Sequence, residues 1–84
     1  MVKKDGAETR RERIKEIAKM LQAGFHEKME KGEKPEFQLS KFITLVEFDY
    51  GLSREKVIEY LEIIQGIGQI EIDYENDKLR KPEF

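Results

Sequence analysis

The apolar residues of this chain change their spacing for good at Gly66-Ile67-Gly68. Before that point Ile14, Ile17, Ala18, Leu21, Phe25 and Met29 recur three and four residues apart, and so do Val57, Tyr60, Leu61 and Ile64. That is the period of a helix burying one stripe. After it, Gln69-Ile70-Glu71-Ile72-Asp73-Tyr74 alternates with period two, the period of a strand. Helices first and a ribbon last predict an α+β fold. With 84 residues and no cysteine, the chain has room for one core and neither a disulfide nor a thiolate metal site to staple it.

The spacing predicts an unstructured start over residues 1–7 and one domain over residues 8–84. The first helix runs from about Glu8 to Lys31 and stops at Lys31-Gly32 ahead of Pro35. Gly24 inside it costs about 1 kcal/mol relative to Ala, so either the backbone is closely approached there or the helix is weak. Glu36-Phe37-Gln38-Leu39 reads as a short strand or an extended entry. Ser40 is placed to cap a second helix from Lys41 to about Asp49, and Gly51 supplies the left-handed conformation of a tight exit. Ser53 caps a third helix from Arg54 to about Gln65. In the terminal ribbon, Asn76-Asp77 as the loop sets Glu75 across from Lys78, Tyr74 from Leu79 and Asp73 from Arg80. The expected core is Ile14, Ile17, Leu21, Phe25, Leu39, Ile43, Val46, Leu52, Val57, Leu61, Ile64, Ile70, Ile72 and Leu79.

Charge and composition exclude several function classes. One histidine, His26, leaves no paired ligands for zinc and no ordinary triad. Gly66-Ile67-Gly68 precedes a strand, not a helix, so it is no phosphate loop. Asp73 and Glu75 sit on an exposed strand with no pocket implied. The expectation is a protein that is not an enzyme and carries no catalytic residue, cofactor or metal. No apolar run approaches the roughly 20 residues that span a bilayer, and Met1-Val2-Lys3-Lys4-Asp5-Gly6 lacks the apolar middle of a signal peptide, so a cytoplasmic chain is expected. The net charge of −2 hides a gradient: residues 1–42 carry eleven Lys or Arg against eight Asp or Glu, and residues 43–84 five against ten. Richness in Lys and Glu with a single Asn is a composition often met in thermophile proteins.

The order helix, short strand, helix, Gly-centred turn, helix, hairpin resembles the winged-helix transcription regulators of archaea and bacteria. The resemblance covers roughly residues 10–81 and is carried by Leu39-Ser40 through Phe42-Ile43 and Val46, by Gly51-Leu52-Ser53, by Val57, Tyr60, Leu61 and Ile64, and by Gly68-Gln69-Ile70-Glu71-Ile72. One departure is Glu47, which stands where the pattern has a small residue and predicts a longer turn. The resemblance implies a double-stranded DNA-binding regulator, commonly a homodimer, whose third helix enters the major groove while the wing touches phosphates or the minor groove. Carried over by position, Ser53, Arg54 and Lys56 open the recognition helix. Lys78, Arg80 and Lys81 sit on the wing, and Lys41 and Thr44 reach the backbone from the second helix.

The third helix also supports another reading. At 100° per residue Glu55, Glu59 and Glu62 lie opposite its buried stripe, flanked by Ile58 and Ile63. Such a face repels a polyanion and suits a protein partner instead. Leu45 and Phe48 fall outside the buried stripe of the second helix, and the first helix offers a seam for a second copy along whichever of Met20, Gly24 and Phe25 the core leaves uncovered. The cluster Arg10-Arg11-Arg13-Lys15-Lys19 is interleaved with Glu8, Glu12 and Glu16, and the spacing predicts pairs Glu12–Lys15 and Glu16–Lys19.

Overall fold

The computed structural model describes residues 6–82. Residues 1–5 of the expected unstructured start lie outside the described residues, while Gly6 and Ala7 already belong to the first helix, α1 (Gly6–Glu30). Ile17, Leu21 and Phe25 of α1 are fully buried, with Ile14 and Ala18 half-buried beside them, so the apolar stripe is the contact face. The stripe ends at Phe25, since Met29 is 51% exposed.

A three-residue strand, β1 (Glu36–Gln38), leads directly into α2 (Leu39–Tyr50). The cap of α2 differs from the one the sequence predicts. The capping position is Gln38, which makes no side-chain cap bond, and Ser40 lies inside the first turn. The orphan donors there are met from the hairpin. Asp77 Oδ1 accepts from the Ser40 backbone N–H at 2.8 Å, and Oδ2 accepts from Ser40 Oγ at 2.7 Å and Gln38 Nε2 at 2.9 Å. A carboxylate at a helix N-terminus also meets the positive end of the helix dipole.

Between α2 and α3 (Arg54–Gly66) lie only Gly51, Leu52 and Ser53. The longer turn expected from Glu47 does not occur: Glu47 is half-buried, and the connection is three residues long. Ser53 caps α3 as expected, its Oγ accepting from the Lys56 N–H at 3.2 Å. Gly51 and Gly68 both take positive φ, 65° and 82°, which a β-carbon would strain. At Gly68 the chain folds back so that its N–H meets the Gln65 carbonyl at 2.9 Å and the Gln69 N–H meets that of Ile64 at 3.2 Å. This satisfies the last carbonyls of α3 and aims the chain into the sheet.

The sheet is antiparallel in the order β1-β3-β2, with β2 (Glu71–Asp73) and β3 (Lys78–Arg80) forming the terminal hairpin. Its register departs by two residues from the expected one. Ile72 faces Leu79, Asp73 faces Lys78 and Glu71 faces Arg80, and the loop is Tyr74-Glu75-Asn76-Asp77. The reason is local: Asp73 accepts from the Asn76 N–H at 3.1 Å and from its Nδ2 at 2.8 Å, an Asx-type turn that lengthens the loop. Asp77 then closes it at φ 55°, a left-handed conformation that Asp tolerates better than most residues. A slip of two preserves the faces, so Ile72 and Leu79 still point the same way.

Three helices and a hairpin sheet in this order form an α+β winged-helix layout with the hairpin as its wing. The core comprises Ile17, Leu21, Phe25, Leu39, Phe42, Ile43, Val46, Val57, Tyr60, Leu61, Ile64, Ile70 and Leu79, and no polar or charged side chain is buried among the described residues. Each such side chain stabilises the fold by about 1.5–3 kcal/mol on leaving water. Phe42 and Tyr60 join the expected core, while Ile14, Leu52 and Ile72 are half-buried at its margin.

Candidate nucleic-acid and partner surfaces

The residues expected to touch DNA come from three elements, and most of their polar groups are already engaged. Thr44 Oγ1 donates to the Ser40 carbonyl of its own helix at 3.0 Å, and Ser53 Oγ is occupied by the α3 cap. Lys56 Nζ lies 3.2 Å from Glu59 Oε2. On the wing, Lys78 Nζ is 3.6 Å from Glu36 Oε1, and Arg80 reaches both Glu36 Oε2 at 3.4 Å and Asp73 Oδ2 at 2.9 Å. The hydrogen bonds from Asn76, then that from Arg80, hold the Asp73 carboxyl down at about 2. Lys41, Arg54 and Lys81 are exposed and make no ion pair among the described residues. They stand at the start of α2, the start of α3 and the end of β3.

The acidic face of α3 is likewise not the bare surface its helical wheel implies. Arg10 of α1 reaches across to Glu59, Nη2 to Oε1 at 2.6 Å, with its guanidinium 6.0 Å from the Tyr60 ring centroid. Glu59 is therefore clamped between two cations. Glu62 accepts from the Tyr74 hydroxyl at 3.0 Å, and partial burial followed by that carboxylate raises the Tyr74 phenol above its ordinary range. Ile58 is half-buried against the core, and Ile63 is half-buried in a shallow cleft shared with Arg10, Arg11 and Ile14 of α1. Of the carboxylates on the expected partner face, Glu55 alone is exposed with neither an ion pair nor a side-chain hydrogen bond among the described residues. The pairs expected along α1 are not formed: Lys15 and Lys19 make no ion pair among the described residues, and burial first and the negative charge of Glu16 second raise the Tyr50 phenol above its usual range.

No family model, curated protein or solved structure matches this chain.

The surface beside α2 is markedly apolar. α1 and α2 both pack on α3, and between α1 and α2 runs a groove of about 500 Å³. Met20, Ala23 and Gly24 of α1, Phe37 of β1, and Phe42 and Leu45 of α2 line it, joined by Glu27 and Lys41. Phe37 stacks on Phe25 with centroids 5.4 Å apart and tilts against Phe42 at 6.3 Å. On the α2 side Leu45 is 48% exposed, and Phe48, one turn further, is 87% exposed. The spacing of Leu45 and Phe48 marks this patch in the sequence. The contribution of Phe37 is visible only once β1 is paired. Among the described residues no group of acidic, His or Cys side chains is arranged to hold a metal, and no helix is long and apolar enough to cross a membrane.

Proposed function

We propose that this chain is a protein-interaction module built on the winged-helix layout, working through protein contact and not by reading duplex DNA. One observation carries the reading: the basic side chains of the third helix and wing are largely spent on internal carboxylates, whereas Leu45 and Phe48 stand exposed beside an apolar groove. The charge of the would-be DNA face agrees, since residues 54–81 carry five Lys or Arg against seven Asp or Glu. A polyanion gains affinity by displacing counterions with protein cations, and this face offers few that are unpaired. The partner is a protein, a second copy of the chain included, and a cytoplasmic setting suits the composition.

A second reading, the transcription regulator that binds double-stranded DNA as a homodimer, draws on a different observation. With Glu59 neutralised by Arg10 and Lys56, the first turn of α3 presents Arg54 beside the Ser53 cap, a position from which guanine is read. Fluorescence anisotropy with a random-sequence duplex, at low and at moderate salt, separates the two. The protein-contact reading expects no binding tighter than the non-specific range of roughly 10⁻⁶ M. Tighter binding that weakens steeply with salt and is lost in Arg54→Ala establishes the regulator instead.

A further inference from the structure

We propose that two copies of this chain associate through the outer face of α2 about a two-fold axis at Leu45, each seating its Phe48 in the groove of the other. The proposal deepens the protein-contact reading and rests on it. Lys41, Leu45 and Phe48 follow i, i+4, i+7 spacing and so share one stripe of α2. Lys41 and Leu45 line the groove, and Phe48 projects from the next turn at 87% exposure. Knob and hole therefore occupy one face of one molecule. An isologous interface needs that combination, because each copy must give and receive the same contact.

The register supplies the second argument. In an antiparallel pair of α2 helices with the axis at Leu45, residues equally far before and after it face each other. Phe48 then meets Phe42 of the second copy, each about 4.5 Å along the helix from the axis. Phe42 belongs to the groove wall, next to Phe37 and the bare Gly24 backbone. One residue further out, Asp49 faces Lys41. Both are exposed and neither makes an ion pair among the described residues, so the same axis that seats the rings brings two opposite-charge pairs together at the rim. A partner helix of unrelated sequence would use the hole but leave Phe48 and these charges unexplained.

The twelve residues of α2 give a face only about 18 Å long, so the interface is at the small end of stable ones and the dimer is micromolar and concentration-dependent. Sedimentation equilibrium from about 1 to 500 µM is expected to show a reversible monomer–dimer equilibrium. Phe48→Ala, at a position too exposed to disturb the fold, is expected to weaken it at least about 100-fold, since a buried aromatic anchor is lost twice by symmetry. Lys41→Asp weakens the dimer, and Lys41→Asp combined with Asp49→Lys restores it. Because the chain has no cysteine, Leu45→Cys supplies one thiol per copy at the axis. It is expected to form a covalent dimer on mild oxidation, while Gln22→Cys on α1 does not. A monomer at every concentration overturns the proposal. A dimer indifferent to Phe48→Ala and to the charge swap also overturns it, though such a dimer leaves the protein-contact reading intact. Failure of that wider reading is seen separately, in the duplex titration.

Discussion

Replacing Gly24 by Ala tests the packing that floors the groove, because two physical effects predict opposite signs. Helix propensity alone predicts stabilisation by about 1 kcal/mol for Gly to Ala inside a helix. The structure predicts a collision: a β-carbon at Gly24 would lie 2.5 Å from Phe37 Cζ and 3.1 Å from Cε2. The ring can yield only by giving up contacts that hold it. Phe25 stacks on one side, Phe42 leans from another, and Lys28 Nζ sits 5.1 Å from its centroid. Its backbone is held in β1 opposite Leu79. Overpacking of this kind costs about 1–3 kcal/mol, so the net expectation for Gly24→Ala is destabilisation by about 1 kcal/mol. For a domain of this size that lowers Tm by about 4–8 °C. In a Phe37→Leu background the three contacting ring atoms are gone and the sign reverses, Gly24→Ala now stabilising by about 0.5–1 kcal/mol. Thermal and urea melts of the four proteins, followed by circular dichroism, measure the cycle. Gly24→Ala more stable than the native chain, or equally destabilising in both backgrounds, refutes the close approach.

Leu79→Ala removes the fully buried side chain of the central strand and is expected to lower unfolding stability by about 2–5 kcal/mol in urea titrations; a loss below 1 kcal/mol would mean that the hairpin does not close the core. Asp73 and Asp77 both hold protons less tightly when folded: Asp73 is lowered to about 2 by its bonds from Asn76 and then Arg80, and Asp77 is lowered first by the Ser40 hydroxyl and then by Gln38. Their stabilisation is therefore complete above the ordinary carboxylate pKa and drains away as pH falls through the folded values. Asp77→Asn, which keeps a residue tolerant of the left-handed turn, combined with Asp73→Asn, is expected to flatten the acid limb of stability below about pH 5. An unchanged slope in urea midpoints against pH would refute these assignments.

The helices were legible in the sequence because their periodicity is local. The starts and stops at Ser53, Gly51 and Gly68 depend only on neighbouring residues, and each behaves as its chemistry dictates. The cap of α2 was not legible. Ser40 has the right side chain at nearly the right place, yet Asp77, 37 residues later, takes the role, and nothing near Ser40 announces it. The hairpin register failed for a related reason. Opposite charges pair well in the two-residue-loop register, but an Asx turn at Asp73 outcompetes it and moves the partner of Leu79 from Tyr74 to Ile72. Gly24 was legible only as a dilemma, settled once β1 brought the Phe37 ring against the helix.

The candidate site follows the same division, and the wing shows why. The sequence already placed Asp73 near Arg80, and the pair is present at 2.9 Å even in the altered register. The neutralisation of wing cations was therefore half visible. The rest comes from Glu36 on β1, which meets both Lys78 and Arg80 only because β3 lies between the other two strands. Exposed pairs of this kind cost only about 0–1 kcal/mol to open, so they do not by themselves forbid a phosphate. The decisive effect is what opening them releases. A phosphate drawn to Arg80 would stand beside the freed carboxylates of Glu36 and Asp73, with Glu75 and Asp77 in the adjoining loop, and would lose through repulsion much of what it gained. Phe48 faces no such obstacle, since burying it requires no existing contact to break. Charge on the hairpin and apolar exposure on α2 thus point the same way, toward a partner surface that is apolar at its centre and neutral overall.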